Sequence, residues 1–299
     1  MKKQTVKLFL IFSLLIGFAF SVFAQNSLAQ PKKSFLWKVQ SKTNTVYVLG
    51  AIHYLKKEMY PLDEKIEKAF DQSNVLGVEA NVDNVSKIDV QKLAEIAFYS
   101  GDETLEKHLS PEAYELVKKQ LTEVGASLET ANKYRPWFLA LSLASLEILK
   151  LGFDPDYGID RYFLSKATEK KKIVELESLE YQINLFSGFS EKDQELLLLY
   201  TLKDINVLEQ ELDKLVNAWR AGDEKGIESI MTKSAKEDKR LAPVYEKLVI
   251  ERNKKMASKI EDYLKEKETY FVIVGAGHLV GSQGIIELLK SKGFVVEQL

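Results

Sequence analysis

Two apolar runs that lie more than two hundred residues apart end in the same way. "TVYVLGAIH" closes on Gly50-Ala51-Ile52-His53, and "TYFVIVGAGH" closes on Gly275-Ala276-Gly277-His278. Each run is rich in β-branched residues and reads as a buried strand. A glycine immediately after a strand permits a tight turn and close backbone approach. In an open α/β sheet such turns lie beyond the carboxyl ends of the strands, where ligands bind. The tetrads therefore constrain the fold first: sheet-forming segments stand near both ends of the chain, and loops carrying two of its three histidines can face one another.

The segments between them fill in an α/β plan. "SFLWKVQ" alternates Phe35, Trp37 and Val39 with polar positions, and "SKTN" supplies turn residues, so a hairpin leads into Gly50. After Tyr60-Pro61, the acids Asp63 and Glu64 open a helix with Leu62, Ile66, Ala69 and Phe70 on its apolar face, stopping near Ser73. "NVLGVEA" is a further buried strand and carries Glu79. Residues 86–150 read as helical, with Ser110-Pro111 as a helix start and "WFLALSLASLEILKLG" as a central buried helix rather than a membrane span. "KIVELE" is a strand that closes on Glu177. Residues 188–268 are helical and highly charged, their charge runs being solvated faces, before a last helix "GIIELLKSKG" and strand "FVVEQL". The expected architecture is an α/β mixed sheet, strand-rich at both ends of the chain, with large helical insertions. No low-complexity linker divides it, so residues 25–299 are expected to form one domain.

Residues 1–24 stand apart from this plan. Lys2 and Lys3 precede a long apolar run ending in Val22-Phe23-Ala24, the pattern of a cleaved signal peptide, with a retained membrane anchor as the alternative. The chain is accordingly expected to be exported, to a periplasm or beyond, with no membrane span after cleavage. The segment carries three lysines and no acid. Without it, 39 Lys and Arg face 44 Asp and Glu, a formal charge of −5 that argues against nucleic acid as the partner. Cysteine is absent, which excludes disulfides, thiolate ligands, a cysteine nucleophile and a lipidated cysteine anchor.

Two imidazoles and a carboxylate are a common ligand set for a divalent transition metal that keeps a position open for water or substrate. His53, His278 and Glu79 are the candidates for such a set. Glu177, also at a strand end, is the candidate second carboxylate, as a further ligand or a general base. Taken singly, either histidine reads as a structural residue and either glutamate as a helix cap or an ion-pair partner. His108 has no glycine or strand beside it and reads as a surface residue. Gly275-x-Gly277-x-x-x-Gly281, with Glu297 on a later strand, imitates a dinucleotide-binding unit, but that reading leaves the first tetrad unexplained.

"FLWKVQSKTNTVYVLGAIH", the glutamate of "VLGVEA", "RPW" at 135–137, "ELESLEYQ", "ERN" at 251–253 and "GAGHLVGSQGIIELLKSKGF" occur in the order found in the TraB/PrgY/GumN family. Over nearly all of residues 25–299 the chain resembles that family and its TIKI relatives. The resemblance implies a TIKI-like fold and a metal-dependent protease site formed by His53, Glu79 and His278. It also implies a basic position at Arg252 that binds a substrate carboxylate or an oxyanion, and makes Asn253 a further site candidate. The expectation is an exported hydrolase of a peptide or related amide, using zinc, manganese or cobalt, with a peptide or small-molecule substrate as partner. Some relatives are linked to esterase chemistry or haem binding. A metal-free esterase-like hydrolase and a non-catalytic peptide- or cofactor-binding cleft therefore remain as alternatives.

Overall fold

The alternating segment after Ser34 forms the hairpin its pattern predicts. In the computed structural model, which describes residues 33–299, β1 (Leu36–Gln40) pairs antiparallel with β2 (Thr45–Ala51), Leu36 opposite Leu49 and Gln40 opposite Thr45. Residues 1–24, read as a signal peptide, lie outside the described residues. Asn44 anchors the hairpin turn by donating its side-chain amide to the carbonyls of Tyr263 and Glu268, at 2.9 and 2.8 Å.

Four further strands complete one sheet: β3 (Val75–Val78), β4 (Lys172–Glu175), β5 (Tyr270–Gly275) and β6 (Val295–Gln298), in the order β4-β3-β5-β2-β1-β6. The pairs β4–β3, β3–β5 and β5–β2 are parallel, whereas β1 runs antiparallel to β2 and β6. Every residue of β3 and β5 is buried, as expected for interior strands of a parallel sheet covered on both faces. The fold is thus the expected mixed α/β arrangement. The register Gly50↔Val274 and Ala51↔Gly275 brings the two tetrads out side by side at one edge of the sheet. β3 and β4 end at that same edge. β5 and β6 are separated by β2 and β1, so the C-terminal glycines do not open a dinucleotide-binding unit of adjacent parallel strands. Gly277 instead makes room for Met231, whose Cε would lie 2.3 Å from an added Cβ.

The described residues divide into two compact units. One comprises 33–81, 152–178 and 210–299 and holds the whole sheet, with the helices Glu64–Asp71, Ile159–Ala167, Glu224–Glu237 and Glu251–Tyr263. The other, residues 82–151 and 179–209, is helical. Its apolar helix Pro136–Lys150 buries Trp137, Leu139, Ala140, Leu141 and Ile148, so the stretch without a polar face is an interior element. Ser110 caps the helix Pro111–Val124, its hydroxyl accepting from the Ala113 N–H at 3.3 Å. Among the described residues no helix is long and apolar enough to cross a membrane.

Candidate functional site

At the carboxyl edge of the sheet, strand geometry converts sequence order into a cluster. His53 follows β2 by two residues and His278 lies in the four-residue helix Ala276–Leu279 that follows β5. Glu79 is the first residue beyond β3, between β5 and β4. Glu177 lies two residues past β4, its N–H donating to the Glu79 carbonyl at 2.6 Å. Arg252 and Asn253 enter from the first turn of the helix Glu251–Tyr263. His53, Glu79, Glu177, Arg252, Asn253 and His278 are each less than a tenth exposed.

Both imidazoles are held through Nδ1. His53 Nδ1 lies 2.6 Å from Asp160 Oδ2, and His278 Nδ1 lies 2.6 Å from Asn253 Oδ1. Asn253 is itself fixed, since its Nδ2 donates to the Gln283 carbonyl at 2.8 Å and leaves Oδ1 to accept from the imidazole. In each ring Nε2 remains for the site. His278 Nε2 is 3.9 Å from Glu79 Oε1, and His53 Nε2 is buried with no hydrogen-bond partner among the described residues.

The charges are arranged around a single guanidinium. Arg252 Nε donates to both Glu177 oxygens at 3.0 and 3.1 Å, and Nη2 bridges Glu177 Oε2 and Glu79 Oε2, both at 2.8 Å. Nη1 donates to the Leu248 carbonyl at 3.1 Å. The Gly275 N–H donates to Glu79 Oε1, so the turn that opens the second tetrad also holds the carboxylate. Burial opposes ionisation of Glu79, but His278, Arg252, His53 and the Gly275 N–H outweigh it and bring its pKa down to about 2. We attribute the low value chiefly to the permanent charge of Arg252, because His278 is itself neutral. Burial, reinforced by Arg252 and opposed by Glu79, lowers the His278 pKa to about 3. The same burial acts on His53, yet the Asp160 carboxylate beside it, with help from Glu79, raises its pKa above the ordinary value. The two motif histidines are therefore electrostatically unlike.

Asp160 is the site residue that sequence reasoning missed. It lies in the first turn of Ile159–Ala167, and the N–H of Ile159 donates to the Ile52 carbonyl at 3.1 Å. Gly158 permits that approach, since a Cβ there would stand 2.2 Å from the His53 carbonyl oxygen. The signal available in sequence was an acid two positions after a glycine, which names no partner. His108 lies elsewhere, partly exposed and stacked on Tyr99, its ring nitrogens paired with Glu103 and Glu191 at 2.9 and 3.0 Å.

Comparison with known proteins places the chain in a family. The chain is similar to the uncharacterized protein YbaP of Escherichia coli strain K12, with 26% identity over 248 residues that cover 82% of this chain and 87% of that protein. YbaP of Shigella flexneri matches with the same figures. The metalloprotease TIKI homolog of Amphimedon queenslandica is 22% identical over 345 aligned positions, spanning 98% of this chain and 66% of that protein. No solved structure matches. The sequence profile described as the TraB/PrgY/gumN family matches residues 35–298, from the first strand to the last, and the chain belongs to that family.

Proposed function

We propose that the chain is an exported, metal-dependent hydrolase of a peptide or related amide. The observation that carries this reading is the buried Nε2 of His53, which has no hydrogen-bond partner among the described residues although its ring is held at Nδ1 by Asp160. A buried nitrogen in that condition is costly unless a ligand completes it. His278, oriented through Nδ1 and kept neutral, offers a second imidazole nitrogen, and Glu79, kept ionised, offers a carboxylate. Imidazoles backed by an oxygen acceptor at the remote nitrogen are the usual form of metal-bound histidine. Among the described residues no group of three or more His, Cys, Asp or Glu is already drawn together as a metal cage. The donor types nevertheless fit zinc, manganese or cobalt, with His53, His278 and Glu79 as the ligands.

A divalent ion bound there would supply a Lewis acid and a water acidic enough to attack at neutral pH. The remaining groups work on the ligands. Asp160 and Asn253 fix the ring orientations, and Arg252 with the Gly275 N–H holds the Glu79 carboxylate. Arg252 spends its donors on Glu79, Glu177 and Leu248, so we assign it to positioning Glu79 rather than to substrate, and Glu177 to neutralising Arg252. The similarity to a TIKI homolog, itself named a metalloprotease, supports the reaction class.

A second reading has its own observation. Without metal, Asp160 favours a protonated His53 while His278 stays neutral, and an acid and a base at one site suit a metal-free esterase-like hydrolase. Metal content after equilibration with zinc, manganese and cobalt separates the two. The metal reading expects stoichiometric metal and chelator-sensitive peptide cleavage, both lost in His53→Ala and His278→Ala and both kept in His108→Ala. Chelator-resistant ester hydrolysis by a metal-free protein would replace it with the second.

A further inference from the structure

One short piece of chain, outside both tetrads, touches each of them. The helices Leu208–Arg220 and Glu224–Glu237 form a hairpin across a three-residue turn, and Trp219 on the first lies twelve positions from Met231 on the second. Trp219 Nε1 donates to the Gly50 carbonyl at 2.6 Å. Met231 packs its thioether into the space left by Gly277, where an added Cβ would stand 2.9 Å from Sδ and 3.0 Å from Cγ. Both side chains are less than a tenth exposed. Glu228, three positions before Met231 and so on the same helix face, backs the end of the second loop, its Oε1 standing 3.2 Å from a Cβ on Gly281. The hairpin is itself anchored. Gln298 of β6 donates its side-chain amide to the Gly222 carbonyl at 2.8 Å, and Asp223 caps the second helix by accepting from the Gly226 N–H at 2.9 Å.

The strand ladder does not supply this hold. β2 and β5 are paired as far as Ala51 and Gly275, and both histidines lie beyond those residues. His278 sits in a four-residue helix, and a single helical turn costs more to nucleate than its own hydrogen bonds return. Yet both rings end in contacts that tolerate little movement, 2.6 Å from His53 Nδ1 to Asp160 and 2.6 Å from His278 Nδ1 to Asn253. Two imidazoles that act at one site must keep their productive geometry to within about 0.5 Å. Packing from outside the loops has to provide that precision.

We propose that this hairpin is the positioning element of the site, with Trp219 setting the first loop and thereby His53, and Met231 setting the second and thereby His278. Each is a positioning residue that acts through the backbone carrying a ring. A buried indole N–H without an acceptor is costly, so Trp219 stays on the Gly50 carbonyl. An unbranched thioether adapts to the gap beside a glycine where a branched side chain would not. Because both contacts come from one anchored hairpin, they fix the two loops relative to each other as well as singly. The role in function rests on the reading that the two imidazoles act together at a metal, but ring N–H exchange needs neither metal nor substrate.

Exchange of the ring N–H protons with solvent, followed by NMR in the metal-free full chain, reads the opening of each loop. Trp219→Phe keeps a ring but not the donor, and is expected to speed exchange at His53 Nδ1 at least about tenfold, the scale of one lost buried hydrogen bond. Met231→Ala does the same at His278 Nδ1, the other ring changing less in each variant. Met231→Leu, which refills the space beside Gly277, restores slow exchange. Val39→Ala, a buried β1 position opposite Val46 at the other end of β2, lowers the Tm and leaves both rings protected. Cobalt affinity falls at least about tenfold in Trp219→Phe and Met231→Ala. Unchanged exchange in both of these variants overturns the proposal, as does equal acceleration in Val39→Ala. Cobalt bound with wild-type affinity by both also overturns it and leaves the metal reading intact. A protein that takes up no cobalt, but whose rings lose protection as expected, keeps the brace and removes the metal reading.

Discussion

Arg252 is 2% exposed, and its guanidinium stands between two carboxylates that are buried equally well. Removing one partner of a buried ionic cluster is far more harmful than never having built it, because the remaining charges stay desolvated. Arg252→Met is accordingly expected to cost about 3–5 kcal/mol, read as a lower midpoint in urea unfolding. Arg252→Lys keeps a charge but not the fork that reaches Nε to Glu177 and Nη2 to both glutamates, so it should lie between wild type and Met. A Met variant as stable as wild type would mean the cluster contributes nothing to the fold. Asp160 acts on a single ring. Asp160→Asn should bring the His53 pKa down from its raised position and leave His278 unchanged. With three histidines in the chain, imidazole NMR resolves each titration, and an unmoved His53 would show that the 2.6 Å contact does not set its proton affinity.

At the scale of elements, the legible parts of the site were those with a local signature. A β-branched run that ends in glycine announces a buried strand and its exit turn, so both tetrads could be read, and the parallel register of β2 with β5 brings them together. Glu79 was legible because a charge just past the apolar run "VLGV" stands out. Glu177 was read as a strand end, and β4 stops two residues earlier, at Glu175. What had no local signature was pairing across distance. Nothing in "GIDRYF" specifies that Asp160 meets His53, and nothing in "ERN" specifies that Arg252 joins two glutamates. The dependence of the Asp160 contact on Gly158 is testable. Its φ of −59° suits any residue, so the obstacle is the His53 carbonyl, 2.2 Å from an added Cβ. Gly158→Ala must move one backbone against the other and should cost about 1–3 kcal/mol and shift the His53 NMR signals. Gly277→Ala meets only the flexible end of Met231 and should cost less. The reverse ranking in urea unfolding would show that the helix Ile159–Ala167 does not depend on this close approach.

For the whole molecule, the site's electrostatics become a dependence of stability on pH. His278 ordinarily titrates near 6.5 and is held at about 3 when folded. The unfolded chain thus gains a proton that the folded one refuses, and stability falls as pH drops below about 6.5, by up to roughly 1.4 kcal/mol per pH unit. Glu79, ordinarily 4.5 and held at about 2, adds a second loss below pH 4.5. His53 works in the opposite sense. Its raised pKa gives a contribution that is complete below pH 6.5 and disappears as pH rises through the folded value. Metal-free protein should therefore show a maximum in Tm near neutrality with a steeper acid side. His278→Gln has no proton to refuse and should flatten the profile between pH 6.5 and 4.5 while leaving the fall below 4.5. Asp160→Asn should remove the loss on the alkaline side and leave the acid limb intact. An acid limb in His278→Gln as steep as wild type above pH 4.5 would locate the linked proton elsewhere, and the neutral state of His278 would lose its thermodynamic support.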